Sequence, residues 1–168
     1  MGLYPAEIEN KAQAIITAYR ELGWMIATAE SCTGGLIAGV LTEIAGSSAV
    51  VDRGFVTYTN QAKMDLIGVS GKVLEVYGAV SRETALQMAH GALMRSDADV
   101  AVAVTGIAGP GGGSAEKPVG LVHLALKTRS GLIDHRDMHY GDIGRSEVRL
   151  ATIRTALEML SAAAQTPA

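Results

Sequence analysis

The chain of 168 residues, with 48% apolar residues and one cysteine, is long enough for one domain that buries roughly 70% of its unfolded surface without a disulfide or a metal. Its net charge of −3 excludes an overall basic field for nucleic acid, and the lone Cys32 excludes an internal disulfide and fits a reducing compartment. No run approaches the roughly 18 uninterrupted apolar residues of a membrane span, and Glu7 and Glu9 close behind Pro5 break the order of a signal peptide, so a soluble, cytoplasmic protein without a membrane partner is expected.

After Pro5, Ile8, Ala12, Ile15, Tyr19 and Leu22 recur at helical spacing, and Gly23 supplies a stop. Residues 25–29 read as a strand, 33–44 as a helix, and 54–58 as a second strand rich in β-branched and aromatic residues. Asn60 is placed to cap a short helix carrying Lys63 and Leu66. The segment from Gly68 to Tyr77 fits no single pattern; Ser81, with Glu83 and Thr84 in the first turn, then opens a helix whose Leu86, Ala89 and Leu93 share a face. Residues 100–104 are apolar throughout, as in a central strand covered on both faces, and 105–118 form a long glycine-dense loop. Residues 119–126 and 132–140 read as a hairpin whose more polar second strand lies nearer an edge, and Leu150, Ile153, Leu157, Leu160 and Ala164 line a final helix. With no repeat and no linker, and with small residues outnumbering aromatics, the chain is expected to form a single-domain α/β layered structure over residues 1–168, a central mixed sheet flanked by helices.

The most informative phrase is Thr-Ala-Glu-Ser-Cys-Thr-Gly-Gly at 28–35, where a strand ends and a helix begins. Unpaired N–H groups and the positive end of a helix dipole converge at such a junction, so the site reads either as a nucleophile beside an oxyanion hole or as a phosphate cradle. Gly34 and Gly35 either clear space for a ligand or permit tight helix packing. Ser31 needs a base within hydrogen-bond reach, and Lys63, entering a helix after the second strand, is the candidate, provided burial makes it neutral; otherwise it is a solvated surface lysine. Tyr58 and Asn60 leave the same strand end, where an α/β sheet gathers its ligand crevice. Cys32 offers a thiolate instead, but neighbours on a strand point to opposite faces, so only one of Ser31 and Cys32 is central. Glu30 orients the base or a ligand, or bonds nearby backbone.

The run from Thr105 and Gly106 through Gly111 and Gly112 to Gly113 could turn successive N–H groups toward a phosphate, although it is no Walker A motif; the alternative is a flexible tether. Lys117 and Arg145 could neutralise the anion. His135, Asp137 and His139 alternate along one strand like metal ligands, but the same pattern is the ordinary polar face of an edge strand, and neither a metal nor another cofactor is expected.

Taken together, four ordered phrases resemble the C-terminal domain of the competence/damage-inducible protein CinA, a family that includes nicotinamide mononucleotide amidase. They are the phrase at 28–35, Gly-Phe-Val-Thr-Tyr-Thr-Asn-Gln-Ala-Lys at 54–63, Gly-Ala-Val-Ser at 78–81, and Thr-Gly-Ile-Ala-Gly-Pro-Gly-Gly-Gly at 105–113 followed by Lys-Pro-Val-Gly at 117–120. The resemblance implies hydrolysis of the carboxamide of nicotinamide mononucleotide, giving nicotinate mononucleotide and ammonia, by a serine hydrolase without a histidine. It makes Ser31 the nucleophile, Lys63 its base and Tyr58 a proton relay. The oxyanion would then sit near Cys32, Thr33 and Gly34, and the phosphate toward Thr105, Gly106, the glycine loop and Arg145. A homo-oligomer is also expected, and larger members of the family carry a molybdopterin-binding-like N-terminal domain that is expected to be absent here. The competing reading is a non-catalytic nucleotide-binding module in which Ser31 only hydrogen-bonds.

Overall fold

A computed structural model describes residues 2–166. The elements in chain order are α1 (Ala6–Leu22), β1 (Ile26–Glu30), α2 (Leu36–Thr42), β2 (Val51–Val56), α3 (Asn60–Ile67), α4 (Gly71–Tyr77), α5 (Arg82–Met94), β3 (Val100–Gly106), β4 (Leu121–Thr128), β5 (Ile133–His139) and α6 (Arg145–Ala164). The strands form one sheet in the order β2-β1-β3-β4-β5. The β2-β1-β3 part is parallel and β3-β4-β5 antiparallel, so the expected mixed sheet is present, with β3 at its centre and the polar β5 at an edge.

Period-two alternation along the strands divides the core into two layers. Ile26, Val100, Val102, Val104, Val122, Leu124 and Leu126 face one way and pack with apolar residues of α1, α2 and α6. The intervening Ala27, Ala29, Ala101, Ala103 and Ala125 face the other way, against Ala85, Met88, Ala89 and Ala92 of α5 and Ile67 of α3. The abundance of small residues thus has a specific place. On that alanine face a β-carbon at Gly91 of α5 would meet the Ile67 carbonyl oxygen, so α3 and α5 approach to backbone contact.

Several boundaries differ from the sequence reading by a residue or more, and three of them shape the site. The helix expected over 33–44 begins only at Leu36, because Gly34 (φ 58°) and Gly35 (φ 101°) hold left-handed conformations that a right-handed helix excludes. These two glycines therefore shape a turn. The second strand is Val51–Val56 rather than 54–58, since it pairs with β1 from Ile26↔Val51 to Glu30↔Val56 and leaves the sheet where its partner does. The cap of α3 is Thr59, whose hydroxyl accepts from Ala62 N, not Asn60. The undecided stretch before Ser81 forms α4, and Ser81 does cap α5. No helix among the described residues is long and apolar enough to cross a membrane.

The chain runs from β1 through α2 to β2 on one side, then returns through α3, α4 and α5 to β3 on the other side of β1. Between β1 and β3 the winding reverses direction, the place where parallel α/β sheets open a crevice at their carboxyl ends. Ser31 leaves β1 there, its N–H donating to Val104 O of β3 at 3.0 Å.

Candidate active site

A pocket of about 230 Å³ opens at this crevice, lined by Ser31, Cys32, Tyr58, Lys63, Ala79, Val80, Thr105, Gly106, Ala108 and Arg145. Three strand ends, the start of α6 and the α4–α5 connection all contribute, which explains why its members are scattered over more than a hundred residues of sequence.

Lys63 is the structural centre of the site. Thr59 starts α3 so that Lys63 falls in its first turn, and the side chain runs inward until only 1% of the residue is exposed. Its Nζ lies 3.0 Å from Ser31 Oγ, 2.9 Å from Thr57 O and 3.3 Å from Tyr58 O. No carboxylate among the described residues forms a salt bridge with it. Burial without a counter-charge lowers its pKa from the usual 10.5, with the nearby Cys32 opposing the shift only in part. Its three oxygen neighbours fit either protonation state: the ammonium donates to all three, and the neutral amine donates to the two carbonyls and turns its lone pair to the Ser31 hydroxyl. The solvated-lysine alternative is excluded by this burial.

Cys32 sits in the core layer of α1, α2 and α6, on the opposite side of the backbone from the layer that supplies Lys63, although an edge of it reaches the pocket. Burial pushes its thiol up to about 11, so it stays protonated near neutral pH and is a poor nucleophile there.

Glu30, at the end of β1, is wholly buried and turned toward protein rather than ligand. Its carboxylate accepts from the Thr33 hydroxyl and from the N–H groups of Gly35 (3.1 Å), Ile37 (3.0 Å) and Ala38 (2.8 Å). The start of α2 is thereby capped from within the chain, which engages the N–H groups of Gly35, Ile37 and Ala38. Gly34 N–H donates to Ser31 O at 3.0 Å, while those of Cys32 and Thr33 meet no protein acceptor among the described residues. Thr33 is fully buried, and its hydroxyl serves Glu30.

Tyr58 is largely exposed at the pocket mouth, and its hydroxyl accepts from Arg145 Nη2 at 3.0 Å rather than bonding Ser31 or Lys63. Arg145 also donates to Gly109 O at 2.9 Å, so its guanidinium bridges the mouth between the β2 and β3 ends. Of the glycine run, Thr105 and Gly106 line the pocket. Thr105 Oγ1 donates to Ala79 O at 2.7 Å, fixing the opposite wall, and a β-carbon at Gly106 would strike Val122 and Leu121 O of β4. Gly111 and Gly112 are exposed and do not line it, nor does the exposed Asn60. Lys117 donates to Tyr77 O at 2.6 Å and stands outside this pocket. On β5, His135 Nε2 lies 3.0 Å from His123 Nδ1 and His139 Nε2 lies 3.8 Å from Asp137, and no group of three such side chains among the described residues is spaced to hold a metal ion.

Residues without a role in the sequence reading are Ala79, Val80 and Ala108 of the pocket wall, the Thr57 carbonyl, and Arg149. The phrase 78–81 marked the wall, and Arg149 stands one helical turn after Arg145, but a backbone carbonyl carries no sequence signal at all.

Comparison with known proteins places this chain among relatives. A family model described as CinA C-terminal domain matches residues 8–164. The chain is 52% identical over 145 residues to a protein of Enterobacter agglomerans named nicotinamide-nucleotide amidohydrolase PncC, covering 83% of this chain and 87% of that one. It is 47% identical to the protein of the same name from Escherichia coli strain K12, covering 92% and 93%. The crystal structure of competence/damage inducible protein CihA from Agrobacterium tumefaciens superposes with a TM-score of 0.96 at 72% identity, covering 96% of this chain and 98% of that one. Several relatives named CinA-like protein are longer, and the chain spans 26% to 34% of their length.

Proposed function

The chain belongs to the CinA C-terminal domain family, and from that premise we propose that it hydrolyses the carboxamide of nicotinamide mononucleotide to nicotinate mononucleotide and ammonia, with Ser31 as nucleophile and Lys63 as base. The relatives named nicotinamide-nucleotide amidohydrolase support the substrate. The observation that carries the chemistry is the buried Lys63 Nζ at 3.0 Å from Ser31 Oγ, with no carboxylate among the described residues paired to it. Within the alternative of a nucleotide-binding module, nothing requires burying an amine against the Ser31 hydroxyl, which costs the amine its solvation.

In the proposed reaction the neutral Lys63 amine takes the Ser31 proton as Oγ attacks the amide carbon. The resulting ammonium returns that proton to the departing nitrogen, ammonia leaves, and a nicotinoyl ester remains on Ser31. Lys63 then deprotonates a water that attacks the ester, releasing the carboxylate and restoring Ser31. With the Gly35, Ile37 and Ala38 N–H groups taken by Glu30 and Thr33 buried outside the pocket, the donor left for the oxyanion is the Cys32 amide that follows the nucleophile. A pocket of about 230 Å³ is below the usual range of roughly 300–1,000 Å³, which suits the amide-bearing ring inside and the phosphate at the rim beside Arg145. In this reading Tyr58 holds Arg145 at the rim and is not a proton relay.

The test is ammonia release from nicotinamide mononucleotide. Wild-type protein should release one ammonia per nicotinate mononucleotide formed, and Ser31→Ala should lose on the order of 10³-fold or more of kcat while remaining folded. Cys32→Ala should stay active. Near wild-type turnover by folded Ser31→Ala removes the assignment, and a collapse confined to Cys32→Ala transfers it to the thiol.

A further inference from the structure

The turn that carries Ser31 into α2 has two polar anchors, and only one of them is local in sequence. Glu30 holds its N–H side, at Gly35, Ile37 and Ala38. On the carbonyl side stands Arg149 of α6, whose Nε donates to Cys32 O at 3.1 Å and whose Nη2 donates to Thr33 O at 3.2 Å. Thr33 O also accepts from Leu36 N at 3.1 Å, whereas Cys32 O has no backbone donor among the described residues. Two adjacent N–H groups on one edge of a guanidinium match two successive carbonyls in a way that a single ammonium cannot.

We infer that Arg149 is a positioning residue for the hydrolysis, holding the Ser31 turn in register with Lys63; the inference rests on the nucleophile reading above. The turn needs such an anchor because it contains consecutive glycines at φ 58° and 101°, whose backbone has the widest conformational choice of any residue. Fixing Cys32 O also fixes the peptide plane whose other end is the Thr33 N–H, and that plane begins one residue after the nucleophile. Arg149 does not line the pocket, so it acts on the geometry of Ser31 and not on substrate contact. Arg145, one helical turn earlier on the same helix, does line the pocket. The beginning of α6 thus supplies two arginines with separable duties, Arg145 at the mouth and Arg149 behind the nucleophile.

Steady-state kinetics of Arg149→Met, which keeps most of the apolar stem, and Arg149→Lys, which keeps the charge, test the inference against Ser31→Ala. A displacement of about 1 Å at a reacting group costs about a hundredfold in rate, so Arg149→Met should lose about 30- to 100-fold in kcat with KM within about twofold, and Arg149→Lys about tenfold. The rate at which a fluorophosphonate probe labels Ser31 should fall in parallel, because it reports the nucleophile without the nucleotide. Unchanged kcat and labelling in either folded variant overturns the inference, as does a rise in KM alone, which would make Arg149 a binding residue. Should Arg149→Met fail to fold, Arg149→Lys decides by the same criteria. Turnover by Ser31→Ala would instead remove the nucleophile reading and the inference with it, whereas inactive Ser31→Ala beside fully active Arg149 variants removes the inference alone.

Discussion

Replacing Glu30 with Gln separates a residue that holds the site from one that touches substrate. The carboxylate accepts four hydrogen bonds in a wholly buried position: Oε2 receives the Thr33 hydroxyl and the Gly35 and Ile37 N–H groups, and Oε1 receives the Ala38 N–H. In its better orientation the amide keeps its carbonyl oxygen at the Oε2 place and turns its NH₂ toward Ala38 N–H, donor against donor. The orphaned Ala38 bond costs about 1–3 kcal/mol, and three bonds that lose the anion's charge weaken by about 1 kcal/mol each. Relief of the buried charge returns part of this, leaving a net loss of about 2–4 kcal/mol. For a domain of this size that corresponds to a fall in Tm of roughly 5–15 °C, followed by circular dichroism. Ammonia release from the folded variant at 25 °C should fall as well, because the turn that α2 and Glu30 hold carries Ser31. A Glu30→Gln protein with wild-type Tm and wild-type turnover would refute the reasoning, since the carboxylate would then be neither cap nor support.

Lys63→Arg keeps the positive charge but cannot deprotonate, so it should be as inactive in ammonia release as Lys63→Ala; retained activity would reduce Lys63 to charge stabilisation. Since the base must be neutral, kcat/KM should rise with pH and level off at a pKa below 10.5, and a flat profile across that limb would contradict the assignment. The same depression has a sign in stability: between the lowered folded value and 10.5 the unfolded chain binds the extra proton, so the contribution of Lys63 to stability is whole above 10.5 and is lost as pH falls through the folded value. Lys63→Met should flatten that slope in denaturant titrations. Nicotinamide riboside, which lacks the phosphate, should show kcat/KM at least about a hundredfold lower than the mononucleotide, from two charge-assisted bonds of roughly 1.5–3 kcal/mol each. Arg145→Ala should narrow that gap through the mononucleotide alone, and an unchanged ratio would move the phosphate away from the mouth.

What the sequence determined by itself is what depends on near neighbours. The unbroken apolar run of β3, the polar alternation of β5 and the helical spacing of α1 and α6 are local consequences of which face meets water, and each lies where its pattern required. The phrase from Thr28 to Gly35 likewise marked the strand end at which Ser31 stands, because a short apolar run that gives way to polar residues and paired glycines is a local signal of a strand leaving its sheet. Local pattern also misled within that phrase. Seen as a string, Gly34 and Gly35 invite a helix start with free N–H groups; in the fold their positive φ delays the helix to Leu36, and Glu30 occupies its donors.

The tertiary structure alone decided the state and partners of the charged groups. Whether Lys63 is a solvated surface lysine or an amine pressed against Ser31 depends on the distance between the ends of β1 and β2 and on the layer that buries α3, and no spacing along the chain encodes either. The same holds for Arg149, which meets carbonyls more than a hundred residues away, and for Gly111 and Gly112, whose composition suggested a phosphate cradle but which the loop leaves exposed outside the pocket. Side-chain pattern along a sequence records burial, because burial repeats with the period of the element. Desolvation of a single amine, or the direction of a single carbonyl, is set by what crosses from another element, and it leaves no period to read.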